Sequence, residues 1–414
     1  MKVTTAVIIG AGHSGLAMSR HLAERSIDHV LLERGEVANS WASERWDSLR
    51  LLTPNWQSRL PGFAYDGGDP DGYMQMSEVV TYLRRYASTL CAPVQTGTRV
   101  TRVVKTDDGY EVTTDRGGWR CKALVIASGA CNIAGVPKLA EGLPRSILSL
   151  TPMDYRSPAQ LPDGGVMIVG ASATGVQLAN EIQASGRRVV LSVGEHVRVP
   201  RVYRGRDIKW WMDVTGAMDL RYDEVDDIKR ARGLPSLQLV GTPERRSIDL
   251  NSLRASGVEI VGRLVGLHDG KAQFSGALAS QCAMADLKMN RLLTSIDDWI
   301  SQSGQEGNFE AARRYAPTDI SADTKLGLDL AADHGIGAVI WATGYRPDYS
   351  WLDVPVFDRK GRLMHDGGVV KAPAMYVMGL PFLRRRKSSF IDGAAADAAD
   401  LAEHLSQTLH RAAA

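Results

Sequence analysis

The chain has 414 residues, a length that suits two or three domains, each large enough to bury its own core. Lys and Arg number 49 against 47 Asp and Glu, and this balance excludes a general attraction to nucleic acid or to an anionic membrane. The four cysteines are far apart and form no CxxC pair, so the sequence supports neither a metal site of the zinc type nor a redox dithiol.

The apolar segments are short. None reaches the roughly 18 residues that are needed to cross a bilayer. The first apolar run begins at residue 6 and leads straight into a turn, which leaves no place for an export leader. We therefore expect a cytoplasmic protein with no membrane and no nucleic-acid partner.

The first predicted unit is a strand, a glycine turn, a helix and a second strand. An apolar run at 7–9 is followed by "GAGHSG" at 10–15, by apolar residues at helical spacing, and by a strand at 29–33. This order predicts a βαβ unit with parallel strands.

The residues of this turn fit a dinucleotide. Gly10 allows the tight turn, Gly12 lets a pyrophosphate approach the backbone, and Gly15 lets the helix lie close to the strand. The anion is then stabilised by the helix N-terminus. Glu33, at the tip of the second strand, can accept hydrogen bonds from both ribose hydroxyls.

Two elements separate this unit from the next. Residues 77–90 have the apolar spacing of an amphipathic helix with Ser77 as its N-cap. Residues 99–115 read as a β-hairpin around "DDG".

A second βαβ unit repeats the first. A strand at 166–169 leads into "GASATG" at 170–175, followed by a helix at 174–185 and a strand at 189–193. Ser172 takes the place of the middle glycine, so close approach of a pyrophosphate is impeded but not excluded.

The charges after this unit favour a phosphorylated nucleotide. Ser192 stands at the position equivalent to Glu33 and does not repel a 2′-phosphate as a carboxylate would. Arg198, Arg201 and Arg204 follow, and a guanidinium can clamp a phosphate with two hydrogen bonds. The prediction is NADPH rather than NADH. The alternative, that these arginines only solvate a loop, remains open.

From about residue 198 to 307 the chain becomes helical and aromatic. This insert contains a long helix pattern at 278–300 and a hairpin signal around "HDG". After it we predict strands at 338–344 and 374–380, and a last, alanine-rich helix at 393–409.

These elements predict an α/β protein with two Rossmann-like dinucleotide-binding domains. The first comprises residues 1–150 and 341–414. The second comprises residues 151–340 and carries the mainly helical insert at about 198–307.

The two glycine turns, "ASG" at 127–129 and "ATGYRPD" at 342–348 together resemble the flavin-containing monooxygenases, especially the compact bacterial and YUCCA-type members. The resemblance runs from residue 10 to about residue 393. It implies that the first turn binds FAD, that the second binds NADPH, and that the two later segments are hinges between the domains. It further implies oxygenation of a nitrogen or sulfur nucleophile through a flavin hydroperoxide, with dioxygen and a small molecule as partners.

The resemblance also assigns residues outside the turns. The segment at 39–62 resembles the stretch that runs under the flavin, and Asp392 stands where a helix N-terminus meets the flavin pyrimidine edge. Asn55 and Thr53 are the candidates for a catalytic role. The full set of predicted cofactor-binding residues is Gly10, Gly12, His13, Ser14, Gly15, Glu33, Arg34, Ser40, Trp41, Val100, Ala127, Gly129, Gly170, Ser172, Thr174, Gly175, Ser192, Arg198, Arg204, Ala342, Thr343, Gly344 and Asp392.

One family signature is absent. Arg145, Ile147 and Thr151 stand where Phe, Gly and His of an FxGxxxH stretch are expected. This departure keeps two alternatives open, an NADPH oxidase or dehydrogenase that inserts no oxygen and a non-catalytic redox-sensing flavoprotein. The cysteine spacing argues against a third, a flavin-linked disulfide reductase.

Two further points are left open by the sequence. The basic run "RRRK" at 384–387 could attract an anionic substrate or the NADPH phosphate, or it could be a solvated loop. The oligomeric state is not determined, and a homodimer is one option.

Overall fold

The computed structural model describes residues 1–321, 323–332 and 335–413, which build two sheets with helices packed on them. Residues 322, 333 and 334 of the predicted second domain, and residue 414 of the predicted first domain, lie outside the described residues. The predicted α/β class is confirmed.

The first sheet has a parallel centre. Lys2–Ile9 pairs in parallel with His29–Leu32 on one side and with Gly117–Ile126 on the other. Ile9 is opposite both Leu32 and Ile126, so the three strands end side by side and the turns that follow them meet at one edge. The sheet runs in the order Leu352–Asp353, Val100–Thr106, Gly109–Thr114, Gly117–Ile126, Lys2–Ile9, His29–Leu32 and Val94–Gln95, and Met375–Val377, Val369–Val370 and His365–Asp366 branch from Gly117–Ile126.

The second sheet is parallel throughout and repeats this register. Val169 is opposite Ser192 and Trp341, as Ile9 is opposite Leu32 and Ile126 in the first sheet. The predicted internal repeat is therefore present in the strand pairing. The order is Leu148–Leu150, Ile336–Trp341, Gly165–Val169, Val189–Val193 and Glu259–Gly262.

Both sheets are buried on both faces, as parallel sheets covered by helices are. Ala6 and Ile8 point into one apolar cluster, and Val7 and Ile9 into another. In the second sheet, Ile168 and its neighbour Met167 likewise point into two different apolar clusters, on opposite faces of the sheet. The near-continuous apolar runs in the sequence follow from this double burial.

The described helices are α1 His13–Glu24, α2 Asn39–Ser43, α3 Met76–Thr89, α4 Ala173–Ala184, α5 Ile208–Val214, α6 Ile228–Arg232, α7 Leu250–Ala255, α8 Leu278–Gln302 and α9 Gly393–Ala413. Of these, α1, α3, α4, α8 and α9 lie close to predicted helices, α5, α6 and α7 fall in the stretch expected to be helical, and α2 was not predicted. Short 3₁₀ turns occur at Asn55–Gln57, Lys138–Gly142, Pro158–Gln160, Tyr222–Glu224 and Glu306–Asn308. Among the described helices, none has both the length and the apolar character that crossing a bilayer needs.

The predicted N-cap of α3 is wrong by two positions. The residue before the helix is Gln75, and its backbone N–H donates to Glu78 Oε2 over 2.7 Å. Ser77 therefore lies inside the first turn. The glutamate at the third helical position satisfies the free amide, which is the role that a capping box gives to that residue.

Both predicted hairpins are present. Val100–Thr106 pairs with Gly109–Thr114 around "DDG", and Leu264–His268 pairs with Lys271–Phe274 around "HDG". A third strand, Gly327–Asp329, pairs with Lys271–Phe274 of the second hairpin and extends it to a three-stranded sheet.

The predicted insert at 198–307 is not one helical unit. Glu259–Gly262 pairs with Val189–Val193 and is the edge strand of the second sheet. The stretch before it contains short pairs of strands as well as α5, α6 and α7. Tertiary pairing therefore divides a stretch that composition had grouped together. Two further small pairs are Arg59–Leu60 with Phe63–Ala64 and Ile133–Ala134 with Tyr345–Arg346.

Candidate functional site

The three glycines of the first turn have three different surroundings. Gly10 has φ +107°, and a Cβ there would lie 2.5 Å from the Ala127 carbonyl oxygen. A Cβ on Gly15 would clash with the Gly10 carbonyl oxygen. A Cβ on Gly12 would meet nothing within 4 Å. Gly10 and Gly15 thus permit the close packing of strand, turn and helix, and Gly12 faces open space.

Glu33 lies beside this turn and is held in place by backbone amides. Its Oε2 accepts the Ala11 N–H at 2.9 Å and its Oε1 accepts the Gly35 N–H at 3.1 Å. The residue is only 8% exposed. Each carboxylate oxygen can accept further hydrogen bonds, so the fixed carboxylate can also receive hydroxyls from a ligand.

A cleft of about 360 Å³ opens at the ends of the first sheet's central strands. The structure brings eleven of the predicted residues together on its walls, namely Gly10, Gly12, His13, Ser14, Glu33, Arg34, Ser40, Trp41, Val100, Ala127 and Gly129. Sequence reasoning missed Thr98, Asn132, Asp348, Trp351, Pro381 and Ser389, which also line it. For Asp348, Trp351, Pro381 and Ser389 the only signal was a position after the strands predicted at 338–344 and 374–380, and Thr98 and Asn132 carried no such signal.

The cleft is polar at its base. His13 Nε2, Ser14 Oγ and Ser128 Oγ are buried and have no hydrogen-bond partner among the described residues. Buried polar atoms without partners are costly, so they indicate a ligand that supplies the missing hydrogen bonds. Burial lowers the pKa of His13 to about 4, so its ring is neutral at pH 7. The donors, the carboxylate and the open space at Gly12 together fit a nucleotide with a pyrophosphate.

The second turn reproduces the packing of the first. Gly170 has φ +109°, and a Cβ there would clash with the Ala342 carbonyl oxygen. A Cβ on Gly175 would clash with the Gly170 carbonyl oxygen. Ser172 occupies the N-cap position of α4. The turn is therefore built to hold strand and helix together, as in the first unit.

The segment that follows the first predicted hinge lies against the second hinge. The Gly135 N–H donates to the Gly344 carbonyl over 2.8 Å, and the Thr343 hydroxyl donates to the Gly135 carbonyl. Segments that leave the two sheets are thus joined to each other.

The predicted equivalence of Ser192 and Glu33 is wrong by one residue. Strand register aligns Ser192 with Leu32, so the counterpart of Glu33 is Val193. Ser192 is 1% exposed, and its hydroxyl donates to the Gly262 carbonyl and accepts the Leu264 N–H, both at 3.0 Å. It ties two strands together. No carboxylate occupies the equivalent position, because Val193 is apolar and buried.

The arginines predicted to clamp a phosphate are engaged elsewhere. Arg198 Nη1 donates to Asp286 over 2.6 Å, and its Nη2 donates to Asp249 over 2.7 Å. Arg204 pairs with Asp297 and donates to the Glu310 carbonyl. Their guanidinium groups are buried in these contacts. The structure therefore contradicts the expectation that they are free for a nucleotide.

Arg201 is engaged in the same way. It is 1% exposed, donates to Asp207 over 2.6 Å and also donates to the Leu52 carbonyl over 2.8 Å. Leu52 belongs to the segment that precedes α3, whereas Asp207 belongs to the second half of the chain. Arg201 therefore connects these two parts of the molecule.

The catalytic candidate Asn55 has a structural role. Its Oδ1 accepts the Met74 N–H at 2.7 Å and its Nδ2 donates to the Asp69 carbonyl over 2.9 Å. The side chain thereby closes the loop between residues 55 and 74. Asn55 and Thr53 are both buried, and neither lines the cleft.

The basic run at 384–387 is paired with acidic residues. Arg384 and Arg385 contact Asp400 and Asp397 of α9, and Lys387 pairs with Asp219 over 2.8 Å. These contacts disfavour a free patch for anionic substrates.

The comparisons with known proteins agree with this geometry. A model of the pyridine nucleotide-disulphide oxidoreductase family matches residues 7–211. An oxidoreductase of Geobacillus kaustophilus described as CzcO-like is 29% identical over 399 residues, which is 96% of each chain. The indole-3-pyruvate monooxygenase YUCCA8 of Oryza sativa subsp. indica is 26% identical over 379 residues, covering 87% of this chain and 81% of that protein.

A solved structure shares the fold over the whole length. The flavin-containing monooxygenase from Stenotrophomonas maltophilia superposes with a TM-score of 0.68 and 19% identity, covering 99% of this chain and 100% of that chain. The chain is thus similar to flavin-containing monooxygenases and related flavoprotein oxidoreductases. These relatives indicate an enzyme that uses a flavin and a nicotinamide nucleotide, with oxygen and a small molecule as reactants.

The cysteines bear on the rival prediction of a disulfide reductase. The four cysteines, Cys91, Cys121, Cys131 and Cys282, all fall within the described residues and are free thiols. Burial raises the pKa of Cys121 to about 12 and also raises that of Cys131. A thiol with a raised pKa is a poor nucleophile, so these cysteines do not favour dithiol chemistry.

Proposed function

We propose that the chain is an FAD-dependent, NADPH-consuming monooxygenase that transfers one oxygen atom of dioxygen to a nitrogen or sulfur nucleophile. The observation that carries the proposal is the cleft between Gly12, Glu33 and the unpartnered polar atoms of Ser14 and Ser128. A second glycine turn of the same construction adds support for a second nucleotide.

Each group on the cleft wall has a separate task in this proposal. Gly12 and the N-terminus of α1 accommodate the pyrophosphate, and Glu33 accepts the ribose hydroxyls of the adenosine half, which favours FAD over a shorter flavin. The bound flavin supplies the redox chemistry. The chain holds the ring, excludes water and provides hydrogen-bond donors. No side-chain nucleophile is required.

We propose that Arg263, and not the buried Arg198 or Arg204, contacts the 2′-phosphate and so selects NADPH over NADH. It directly follows the strand Glu259–Gly262, next to the tip of Val189–Val193. Its side chain is exposed, and its Cδ would lie 3.6 Å from a Cβ on Gly194. Glu195 lies nearby in sequence, but Lys288 pairs with it at 3.2 Å and offsets its charge. A free guanidinium at this tip suits a 2′-phosphate.

The nucleotide assignment is tested by the ratio of reduction rates with NADPH and NADH. We expect Arg263→Ala to lower the rate of flavin reduction by subsaturating NADPH by about tenfold, because one charge-assisted contact to the phosphate is lost. The rate with NADH should stay unchanged. The control is Arg102→Ala, an exposed arginine of the first sheet. An unchanged ratio in Arg263→Ala would remove Arg263 from the site.

The reaction itself is tested by counting products. Purified protein is loaded with FAD, and NADPH consumption is compared with hydrogen peroxide release, with and without a panel of amines and sulfides. The proposal expects that an accepted substrate lowers the peroxide released per NADPH and yields an oxygenated product. Equal peroxide and NADPH with every compound would instead support the oxidase alternative, and flavin that NADPH does not bleach would support the redox sensor.

A further inference from the structure

Lys209 is a fully buried lysine whose ammonium has no hydrogen bond. It lies in the first turn of α5 and is 0% exposed. Among the described residues, no acceptor reaches its Nζ, and no carboxylate lies within ion-pair distance of it. Nζ is 4.5 Å from the centre of the Phe390 ring. A cation over an aromatic face is only partly compensated for the loss of water.

Asp392 is a nearly buried carboxylate in a similar situation. It immediately precedes α9 and follows Phe390 by two residues. Its Oδ2 has no hydrogen bond, and the nearest cations, Arg59 Nη2 and Lys387 Nζ, are both 3.8 Å away. This distance is too long for a hydrogen bond.

The charges around the two residues can be paired off. Arg201 pairs with Asp207 at 2.6 Å, Arg59 with Asp213 at 3.1 Å, and Lys387 with Asp219 at 2.8 Å. The groups that remain without a short contact are Lys209 and Asp392. The cluster formed by these eight residues is therefore neutral when both are charged and equally neutral when Lys209 has passed its proton to Asp392.

This balance decides between two uses of a buried ammonium. A further anion, such as the carboxylate of a substrate, would leave a net negative charge beside the buried Lys209 and Asp392, and that is costly even though Arg59 and Asp219 at the edge of the cluster are about half exposed. Internal proton transfer costs no net charge. Burial lowers the pKa of Lys209 to about 8 and raises the pKa of Asp392, and both shifts lower the cost of passing from the charged pair to the neutral pair.

Asp392 and Phe390, the ring beside Lys209, closely follow a residue of the cleft wall. Ser389, which lines the cleft, precedes Phe390 directly, and Gly379 and Pro381 line the same wall. Lys209 comes from the insert and Asp392 from the start of α9. The two residues therefore come together only when the insert packs on this end of the first sheet's domain.

We propose that Lys209 and Asp392 form a proton-transfer couple serving the cleft, in which the Lys209 ammonium gives its proton to the Asp392 carboxylate through one bridging water molecule. The products are a neutral amine and a neutral carboxylic acid. This inference rests on the proposed function, whose balance is NADPH, one proton, dioxygen and substrate giving NADP⁺, water and the oxygenated substrate. Asp392 delivers the one proton that each turnover consumes and becomes a carboxylate again. Bulk water then reloads the Lys209 amine.

The couple is tested first on the protein itself, by carbon NMR of FAD-loaded chain labelled at the lysine Cε. We expect one lysine to titrate near pH 8, and its signal to be absent from Lys209→Arg, which keeps the charge in the pocket. In Asp392→Asn the same signal should titrate at lower pH, because the carboxylate no longer stabilises the ammonium. A signal near pH 8 that persists in Lys209→Arg, or one that Asp392→Asn does not shift, would overturn the couple.

The second readout is the pH profile of turnover. Product formation by the wild type should fall as pH rises through about 8, because the ammonium is lost. Lys209→Met and Lys209→Arg should be at least about tenfold slower at pH 7, with no fall near pH 8. The control is Lys371→Met, an exposed lysine.

The two readouts separate the couple from the function on which it rests. A wild-type profile retained in both Lys209 variants would overturn the couple while leaving the monooxygenase proposal intact. A lysine that titrates as expected in a protein that makes no oxygenated product would support the couple's geometry and overturn the proposed function.

Discussion

The glycines of the first turn should respond unequally to the same substitution. Gly12 has φ −82° and ψ −174°, a conformation that any residue adopts, and its missing Cβ faces the open cleft. Gly15→Ala, by contrast, places a methyl group against the Gly10 carbonyl. A substitution can thus remove ligand space at one glycine and backbone packing at the other.

We predict that Gly12→Ala changes the free energy of unfolding of the flavin-free protein by less than about 0.5 kcal/mol but weakens flavin binding by about tenfold or more. Gly15→Ala should cost about 1–3 kcal/mol of stability through overpacking. Urea unfolding and a flavin titration measure the two effects. Full flavin affinity in Gly12→Ala would contradict the assignment of the pyrophosphate to this turn.

Arg198 offers a second contrast at the same scale. Its guanidinium lies between Asp249 and Asp286, so removing it leaves two carboxylates partly buried without their partner. We predict that Arg198→Ala lowers the free energy of unfolding by about 3–5 kcal/mol. The measurement is the urea midpoint, with Arg102→Ala as the exposed control. A stable Arg198→Ala protein that had only lost its preference for NADPH would restore the original prediction of a phosphate clamp.

At the scale of elements, the loop between residues 55 and 74 depends on one amide side chain. Asn55 satisfies the Met74 N–H and donates to the Asp69 carbonyl, while its own N–H donates to the Gly72 carbonyl. The 3₁₀ turn Asn55–Gln57 is therefore fixed from three sides. These three hydrogen bonds account for an asparagine at position 55, and no contact to a reactant has to be assumed.

We predict that Asn55→Ala lowers the free energy of unfolding by about 2–4 kcal/mol, because it leaves a buried amide without an acceptor. The ratio of peroxide to NADPH should stay close to that of the wild type. Thermal unfolding and the product count measure these two quantities. Unchanged stability with a large rise in peroxide would show that Asn55 acts on the reaction and would return it to the catalytic candidates.

At the scale of the whole molecule, two half-buried histidines, His13 and His365, contribute to the dependence of stability on pH. Burial lowers the pKa of His13 and of His365 to about 4, from an ordinary value near 6.5. The unfolded chain therefore binds more protons than the folded chain between these values. Their neutral burial is fully tolerated above pH 6.5, and stability is lost as the pH falls towards 4.

We predict that the free energy of unfolding of the flavin-free protein falls between pH 7 and pH 5 by about 1–2 kcal/mol for each histidine. The double variant His13→Gln and His365→Gln should show a correspondingly smaller fall. The exposed His410→Gln is the control. Urea midpoints at the two pH values measure the effect, and an equal fall in the double variant would exclude these histidines as its source.

The whole molecule also determines where the site can be. The first sheet and its turns build the cleft, but the Lys209–Asp392 couple and the Arg201 contact to Leu52 need the insert in place. Residues that are more than a hundred positions apart in sequence thus come together in this part of the fold.

Much of the fold could be predicted from the sequence, because short-range sterics control it. The two glycine turns, the hairpins and most helix positions follow from local spacing, and the walls of the cleft follow from the parallel order of the strands. The errors at the cap of α3 and at Ser192 are shifts of one or two positions. Such shifts arise because an exact end or register is fixed by hydrogen bonds to a neighbouring segment.

The charges could not be predicted in the same way. A run of arginines at 198–204 looks free in the sequence because its partners stand far along the chain, Asp249 at 51 positions and Asp286 at 88 positions from Arg198. Lys209 was passed over for the same reason. The sequence by itself determined where a nucleotide can approach the backbone, because a glycine turn needs only its own neighbours. Only the tertiary structure decided which cations are neutralised and which remain unpaired, because ion pairs depend on distances across the fold and on burial.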